Sequence, residues 1–180
     1  MILEIEFCGL MKVISGGQCG VDRAGLDAAY VHGIATGGTA PNGWRTWYGP
    51  DPELGTKFGL VEHWSPNYQY RTKQNIQDAD GTIVLATNFD SAGTALTINI
   101  CRITGKPLCM IDLNGDFLDQ FDRATKWLKD NAVSTLNVAG NRDTGTGENA
   151  QVNYGRAFSF LDTWFSILDY KNLLVVPQHK

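Results

Sequence analysis

The sequence predicts a doubly wound α/β fold of Rossmann type, a mostly parallel sheet with helices on both faces, built as a single domain. Two observations carry that expectation. Four short apolar runs, Lys12–Ser15, Thr82–Ala86, Pro107–Asp112 and Leu136–Ala139, are nearly continuous rather than alternating, as strands covered on both faces are. Helical patterns lie between the runs, and the first run leads straight into a glycine-rich turn, Ser15-Gly16-Gly17-Gln18-Cys19-Gly20, and then into a helix.

That turn has the shape of an anion cradle. Gly16, Gly17 and Gly20 leave no side chain between the main chain and a ligand, and the helix behind them offers free N–H groups and a favourable dipole. No Lys follows the glycines, and their spacing is GGxxG rather than GxGxxG, so ATP hydrolysis and the ordinary NAD fingerprint are both poorly supported. The alternative is a tight strand-to-helix turn with no ligand at all. In the helix Val21–His32, the residues Ala24, Gly25, Ala28 and Ala29 form one close-packing face. Asp22 at its start either favours the helix N-terminus or supplies a carboxylate to chemistry, and it is the weak candidate for catalysis. Cys19 at the same helix start lacks a nearby histidine to act as its base, so it reads as a small loop residue rather than a nucleophile.

The stretch Gly37–Tyr70 interleaves glycines and prolines with aromatic residues and is too irregular for a long helix. It either arches over the glycine turn, with Trp44 and Tyr70 as candidates for stacking on a flat ring, or packs its aromatics onto the domain. Next comes Tyr70-Arg71-Thr72, where Arg71 either neutralises an oxyanion or pairs with Asp78 or Asp80 as a helix-surface arginine. A second cradle, Ser91-Ala92-Gly93-Thr94-Ala95-Leu96-Thr97, follows the Thr82–Ala86 strand; Gly93 allows close approach, and Thr94 and Thr97 place hydroxyls within one helical turn. Asp116 caps a helix striped by Phe117, Phe121, Ala124 and Leu128. Tyr154, Ala157, Phe158, Leu161, Trp164, Phe165 and Leu168 mark a last, core-facing helix. The polar turns after the strands fall at one edge of the sheet, where ligands of such folds bind.

Composition sets outer bounds. With 180 residues, 43% hydrophobic and 19% charged, the chain is a soluble globular protein with one core, residues 11–180, behind a short N-terminal extension, residues 1–10; Met11 stands directly before the first strand as an alternative start. A net charge of −4 argues against broad binding to nucleic acid. No apolar run reaches membrane-spanning length, Glu4 and Glu6 stand where a signal peptide would carry Lys or Arg, and the four cysteines and three histidines show no metal-binding spacing. A reducing cytoplasm fits these features.

Taken in order, SGGQCGVDRAGLDAA, YRTKQNIQDADGTIVL, SAGTALT and LNVAGNR resemble the circularly permuted YpsA-like branch of the SLOG superfamily, whose members carry a molybdenum-carrier label; the resemblance spans roughly residues 11–161. It implies a Rossmann-like fold, frequent homo-oligomers, and a pocket for a nucleotide or nucleotide-derived ligand, the molybdenum cofactor being one such. The positions it assigns to that pocket are Gly16, Gly17, Gln18, Cys19 and Gly20 in the first loop and Ala92, Gly93, Thr94 and Thr97 in the second, with Arg71, Thr72, Gly140 and Arg142. Cys19 stands where the family usually has Thr, Ala92 where it has Gly, and Asn141 where it has Pro. The related cytokinin-activating enzymes use a PGGxGTxxE element, and here no Glu stands at the end of the comparable turn. The resulting expectation is non-catalytic binding of an anionic ligand, as carrier or sensor, with no identifiable required cofactor and no metal. Two rival readings share the pocket: a sponge that sequesters a nucleotide-derived immune signal for a phage or mobile element, and a nucleotide hydrolase or phosphoribohydrolase working through Asp22.

Overall fold

The computed structural model describes residues 9–145 and 151–177, so most of the expected extension and Cys8 lie outside the described residues. In chain order the elements are β1 (Lys12–Ile14), α1 (Val21–Val31), β2 (Ala35–Gly37), β3 (Thr39–Ala40), β4 (Arg45–Thr46), β5 (Gly49–Pro50), α2 (Glu53–Thr56), β6 (Val61–Glu62), α3 (Tyr68–Asp78), β7 (Gly81–Ala86), α4 (Ala92–Thr104), β8 (Leu108–Asp112), α5 (Leu118–Asp130), β9 (Thr135–Gly140) and α6 (Val152–Tyr170). All four strands read from the sequence are present, each within a residue of its expected ends. β2 is an addition: Ala35-Thr36-Gly37 is too short and too weakly apolar to stand out, and it forms because β1 offers it an edge.

The main sheet has the order β2-β1-β9-β7-β8, and every pairing in it is parallel. β1–α1–β2 steps toward one edge and β7–α4–β8 toward the other. With right-handed crossovers, opposite steps put the helices on opposite faces. The contacts agree: α1 packs on α6 on one side, and α3 packs on α4 on the other. β9 arrives last and closes the middle, pairing Leu136 with Val13 of β1 and Val138 with Ile83 of β7. Trp164, Phe160 and Phe165 of α6 are fully buried between the sheet and its neighbours, and the Trp164 indole N–H donates to Thr125 Oγ1 of α5 at 3.0 Å.

The small-residue face of α1 does what its spacing predicts. Ala24, Ala28 and Ala29 are fully buried, and a Cβ on Gly25 would come within 2.6 Å of the Val138 side chain, so the helix lies directly on β9. Asp116 stands one residue before the N-cap, which is Phe117, and accepts from the Leu118 N–H at 3.0 Å. Residues 37–70 fold into an arm with its own small cluster, Leu54, Phe58 and Leu60 packed with Leu26 of α1 and with Trp44. Arg23 of α1 fastens this arm: its guanidinium reaches Asp51 at 2.5 Å and Glu53 at 3.3 Å, and Asp27 of its own helix at 3.1 Å. Leu10 is buried beside the last described segment, donating to Leu173 O at 2.8 Å and accepting from the Val175 N–H at 2.9 Å. Among the described residues, no helix is long and apolar enough to cross a membrane.

Candidate functional site

Between the outward crossovers of β1 and β7 the strand ends part, and a cavity of about 560 Å³ opens there, at the carboxyl ends of β1, β7 and β9. Its wall includes Gln18 and Asp22 from the first loop and α1, Arg71, Thr72 and Asn75 from α3, and Gly93, Thr94 and Thr97 from α4. β9 and its exit contribute Asn137, Gly140, Asn141 and Arg142. The second cradle thus lines this cavity, whereas of the first only Gln18 does, with Asp22 at the start of α1; α3 and the Gly140–Arg142 turn join them.

They differ in what their N–H groups are doing. In the first, the Gln18 N–H donates to Asp22 Oδ2 at 3.3 Å, the Cys19 N–H to Gln18 Oε1 at 3.1 Å, and the Val21 N–H to Asn141 O at 3.0 Å. The carboxylate of Asp22 occupies the place an incoming anion would take. Gly16 is required by a neighbour: a Cβ there would lie 1.4 Å from Arg71 Nη1. Gly20, at φ +95°, would place a Cβ 2.5 Å from Asn141 O, so the α1 start is pressed against the turn after β9. Gly17, Cys19 and Gly20 line a second, smaller cavity of about 430 Å³ with Arg23, Asp51 and Tyr154, and Gly16 lines neither.

The second cradle is open. A Cβ on Gly93 would meet nothing within 4 Å, and the N-cap Ser91 makes no side-chain bond to the helix start. Ser91 Oγ instead donates to Thr94 Oγ1 at 2.8 Å, while the Thr97 hydroxyl donates to Gly93 O at 3.1 Å and that of Thr72 to Tyr68 O at 2.9 Å. Asn141, which in the sequence registered only as a departure from proline, holds this rim together. Its Oδ1 accepts from the Thr87 and Asn88 N–H groups, both at 2.9 Å, and its Nδ2 donates to Thr94 Oγ1 at 2.8 Å. Asp143 likewise went unmarked: it caps α6 from a distance, accepting from the Asn153 and Tyr154 N–H groups at 2.9 Å each.

Arg71 pairs with neither Asp78 nor Asp80. Its Nη1 donates to Asp22 Oδ2 at 3.0 Å across the join between α3 and α1, and the Arg71 side chain is 11% exposed. Its Nε is buried with no acceptor among the described residues. Burial pushes the Asp22 carboxyl above its ordinary range, against the pull of the Arg71 guanidinium and of the Gln18 and Gly140 N–H groups. Burial also raises the Cys19 thiol, which donates to Asp143 O at 3.2 Å, so it is not activated as a nucleophile.

The two expected stacking residues do not reach the cavity. Trp44 packs against the Leu54 cluster of the arm, and Tyr70 is stacked on His63 on the outer surface with ring centroids 5.8 Å apart. Helical geometry explains the second case: Tyr70 and Arg71 are adjacent on α3 and so point about 100° apart. Tyr68 is the aromatic on the wall, with the Arg71 guanidinium 5.8 Å from its ring. Trp47 is absent from the wall but touches two residues of it: its ring lies under the Arg142 guanidinium at 4.4 Å, and its backbone N–H donates to Gln18 Oε1 at 2.7 Å. Among the described residues, no group of three or more His, Cys, Asp or Glu side chains is arranged to hold a metal ion.

Comparison with known proteins bears on this arrangement. The model of the circularly permutated YpsA SLOG family matches residues 13–162, which include both cradles, Arg71 and the turn after β9. A crystal structure at 1.45 Å resolution named "Putative molybdenum carrier protein", from Syntrophus aciditrophicus SB, is 32% identical and superposes with a TM-score of 0.78, over 87% of this chain and 95% of that one. No protein of curated function matches. With the greater part of its length matched in both sequence and fold, the chain belongs to the circularly permutated YpsA SLOG family.

Proposed function

We propose that the cavity between the cradles binds a nucleotide or a nucleotide-derived anionic ligand and holds it without cleaving it, as a carrier or sensor. The observation that carries this reading is Arg71: a guanidinium on the cavity wall with a buried N–H that finds no acceptor among the described residues, in the same cavity as the open helix start at Gly93. An unmet buried N–H costs about 1–3 kcal/mol, which an oxyanion in the cavity would return. Arg142 adds a second positive charge, and Asn137 and the threonine hydroxyls suit the ring edges and sugar of a nucleoside. A pterin phosphate presents the same pairing of anion and flat ring, so a molybdenum-cofactor-like cargo, as the name of the Syntrophus protein suggests for that protein, belongs to the same class.

The lining supports holding rather than cleaving. Among the described residues its single carboxylate, Asp22, is engaged by Arg71 and by the Gln18 N–H. The test is a thermal-shift panel of nucleotides, cyclic nucleotides and pterin phosphates, together with mass spectrometry of what copurifies. Arg71→Ala should abolish stabilisation by anionic ligands while sparing that by a neutral nucleoside. Turnover of any panel member that Asp22→Asn abolishes would overturn the binding-only reading.

A further inference from the structure

We propose that Arg71 is a transferable cation: an anion entering the cavity takes the guanidinium over from Asp22, and Asp22 takes up a proton from solvent as it loses its partner, so binding consumes one proton. The inference rests on the binding function proposed for this cavity and concerns how that site works.

The geometry points there in three steps. First, the guanidinium is already spoken for: it lies against Gly16, where a Cβ would sit 1.4 Å from Nη1, and bonds to Asp22 at 3.0 Å. Second, this position does not satisfy it. Nε is buried with no acceptor among the described residues, so the resting pair is a compromise that another acceptor can improve upon. Third, the wall on which Arg71 stands faces the cavity, whereas Asp22 is only 5% exposed at its base. Once the guanidinium turns toward a ligand, the carboxylate is left in a place where a lone negative charge is strongly disfavoured. Protonation removes that charge.

Among the described residues, the surroundings of Asp22 offer no substitute cation. From the first loop it meets the Gln18 N–H and, nearby, Cys19; from β9 it meets the Gly140 N–H. Arg71 is the charged group that α3 brings to it, and α4 brings only the hydroxyls of Thr94 and Thr97 to the cavity. Arg142 lies at the rim, over the Trp47 ring. The burial that pushes the Asp22 carboxyl upward in the free protein therefore acts with one fewer opposing charge when Arg71 leaves. The balance is simple: one solvent proton adds to a carboxylate oxygen of Asp22, one ion pair breaks, and one forms with the ligand.

Calorimetric titration of the full chain with adenosine 5′-monophosphate and with inorganic pyrophosphate, at pH 7 in two buffers of different ionisation enthalpy, reads the proton directly. Close to one proton taken up per ligand is expected, with affinity falling about tenfold per pH unit where Asp22 is ionised in the free protein and neutral in the complex. Asp22→Asn should bring the uptake near zero and flatten the pH dependence. A ligand-free arm checks the same coupling: Arg71→Met should lose thermal stability as pH rises from 5 to 8 relative to the parent, and Arg71→Met with Asp22→Asn should not. Binding with no proton uptake, or Arg71→Met with the parent's pH profile, overturns the exchange and leaves the binding function standing. Failure of every member of the nucleotide and pterin panel to bind removes the binding function, and the exchange with it.

Discussion

Gly16 and Gly93 look alike in the sequence, each a glycine at a strand-to-helix turn, and the structure gives them opposite duties. Gly16 makes room for a side chain of this protein, because a Cβ there would overlap the Arg71 guanidinium; Gly93 borders open space, because a Cβ there would meet nothing within 4 Å among the described residues. Gly16→Ala should therefore break the buried Arg71–Asp22 pair and cost about 2–4 kcal/mol in urea denaturation. Gly93→Ala should leave stability unchanged or raise it by up to about 1 kcal/mol, since alanine favours the helix, while lowering affinity for a bound anion. Loop glycines and the polar type of their neighbours were legible in the sequence. The identity of Arg71's partner was not, because Asp22 lies 49 positions away and only the packing of α3 against the α1 start brings them together. Asn141 was hidden for the same reason: its acceptors and donors come from the segment after β7 and from the start of α4.

At the level of elements, strands and helices followed from periodicity wherever the chain was regular. The small-residue face of α1 is the clearest case, and it can be tested against helix propensity itself. Gly25→Ala should improve the isolated helix, yet it places a methyl 2.6 Å from Val138 and should destabilise the protein by about 1–3 kcal/mol, measured by chemical denaturation. A stabilising result would mean that α1 can ride up from β9. The arm of residues 37–70 was legible only as irregular. Its strands are two residues long, too short for an alternating pattern, and it is held by the Arg23 carboxylate pairs and by the Leu54 cluster rather than by any local preference. The stacking roles expected for Trp44 and Tyr70 depended on how that arm lies, and it turns Trp44 toward Leu54 and leaves Tyr70 outside with His63.

For the molecule as a whole, the class of fold was legible and the strand order was not, since near-continuous apolar runs reveal burial on two faces without naming neighbours. That β9 enters between β1 and β7 decides where the cavity opens, and this is a property of pairing alone. Global stability should carry the mark of Cys109, buried in β8 with its thiol pushed up to about 11 by burial. Because the folded value lies above the unfolded one, near 9, its contribution is intact below pH 9 and is lost as pH climbs toward 11, by about 2–3 kcal/mol at most. Denaturation between pH 8 and 11 should show a shallower decline for Cys109→Ala than for the parent; parallel curves would place the thiol in water. The pairing of Leu10 with Leu173 and Val175 has a different consequence. The path that starts into β1 finishes beside its own beginning, so the fold is close to a closed ring cut at one point, and the sheet order is indifferent to where the cut falls. A chain joined across these two segments and cut at another loop should keep the pairings around the cavity and change only the order in which its motifs are read.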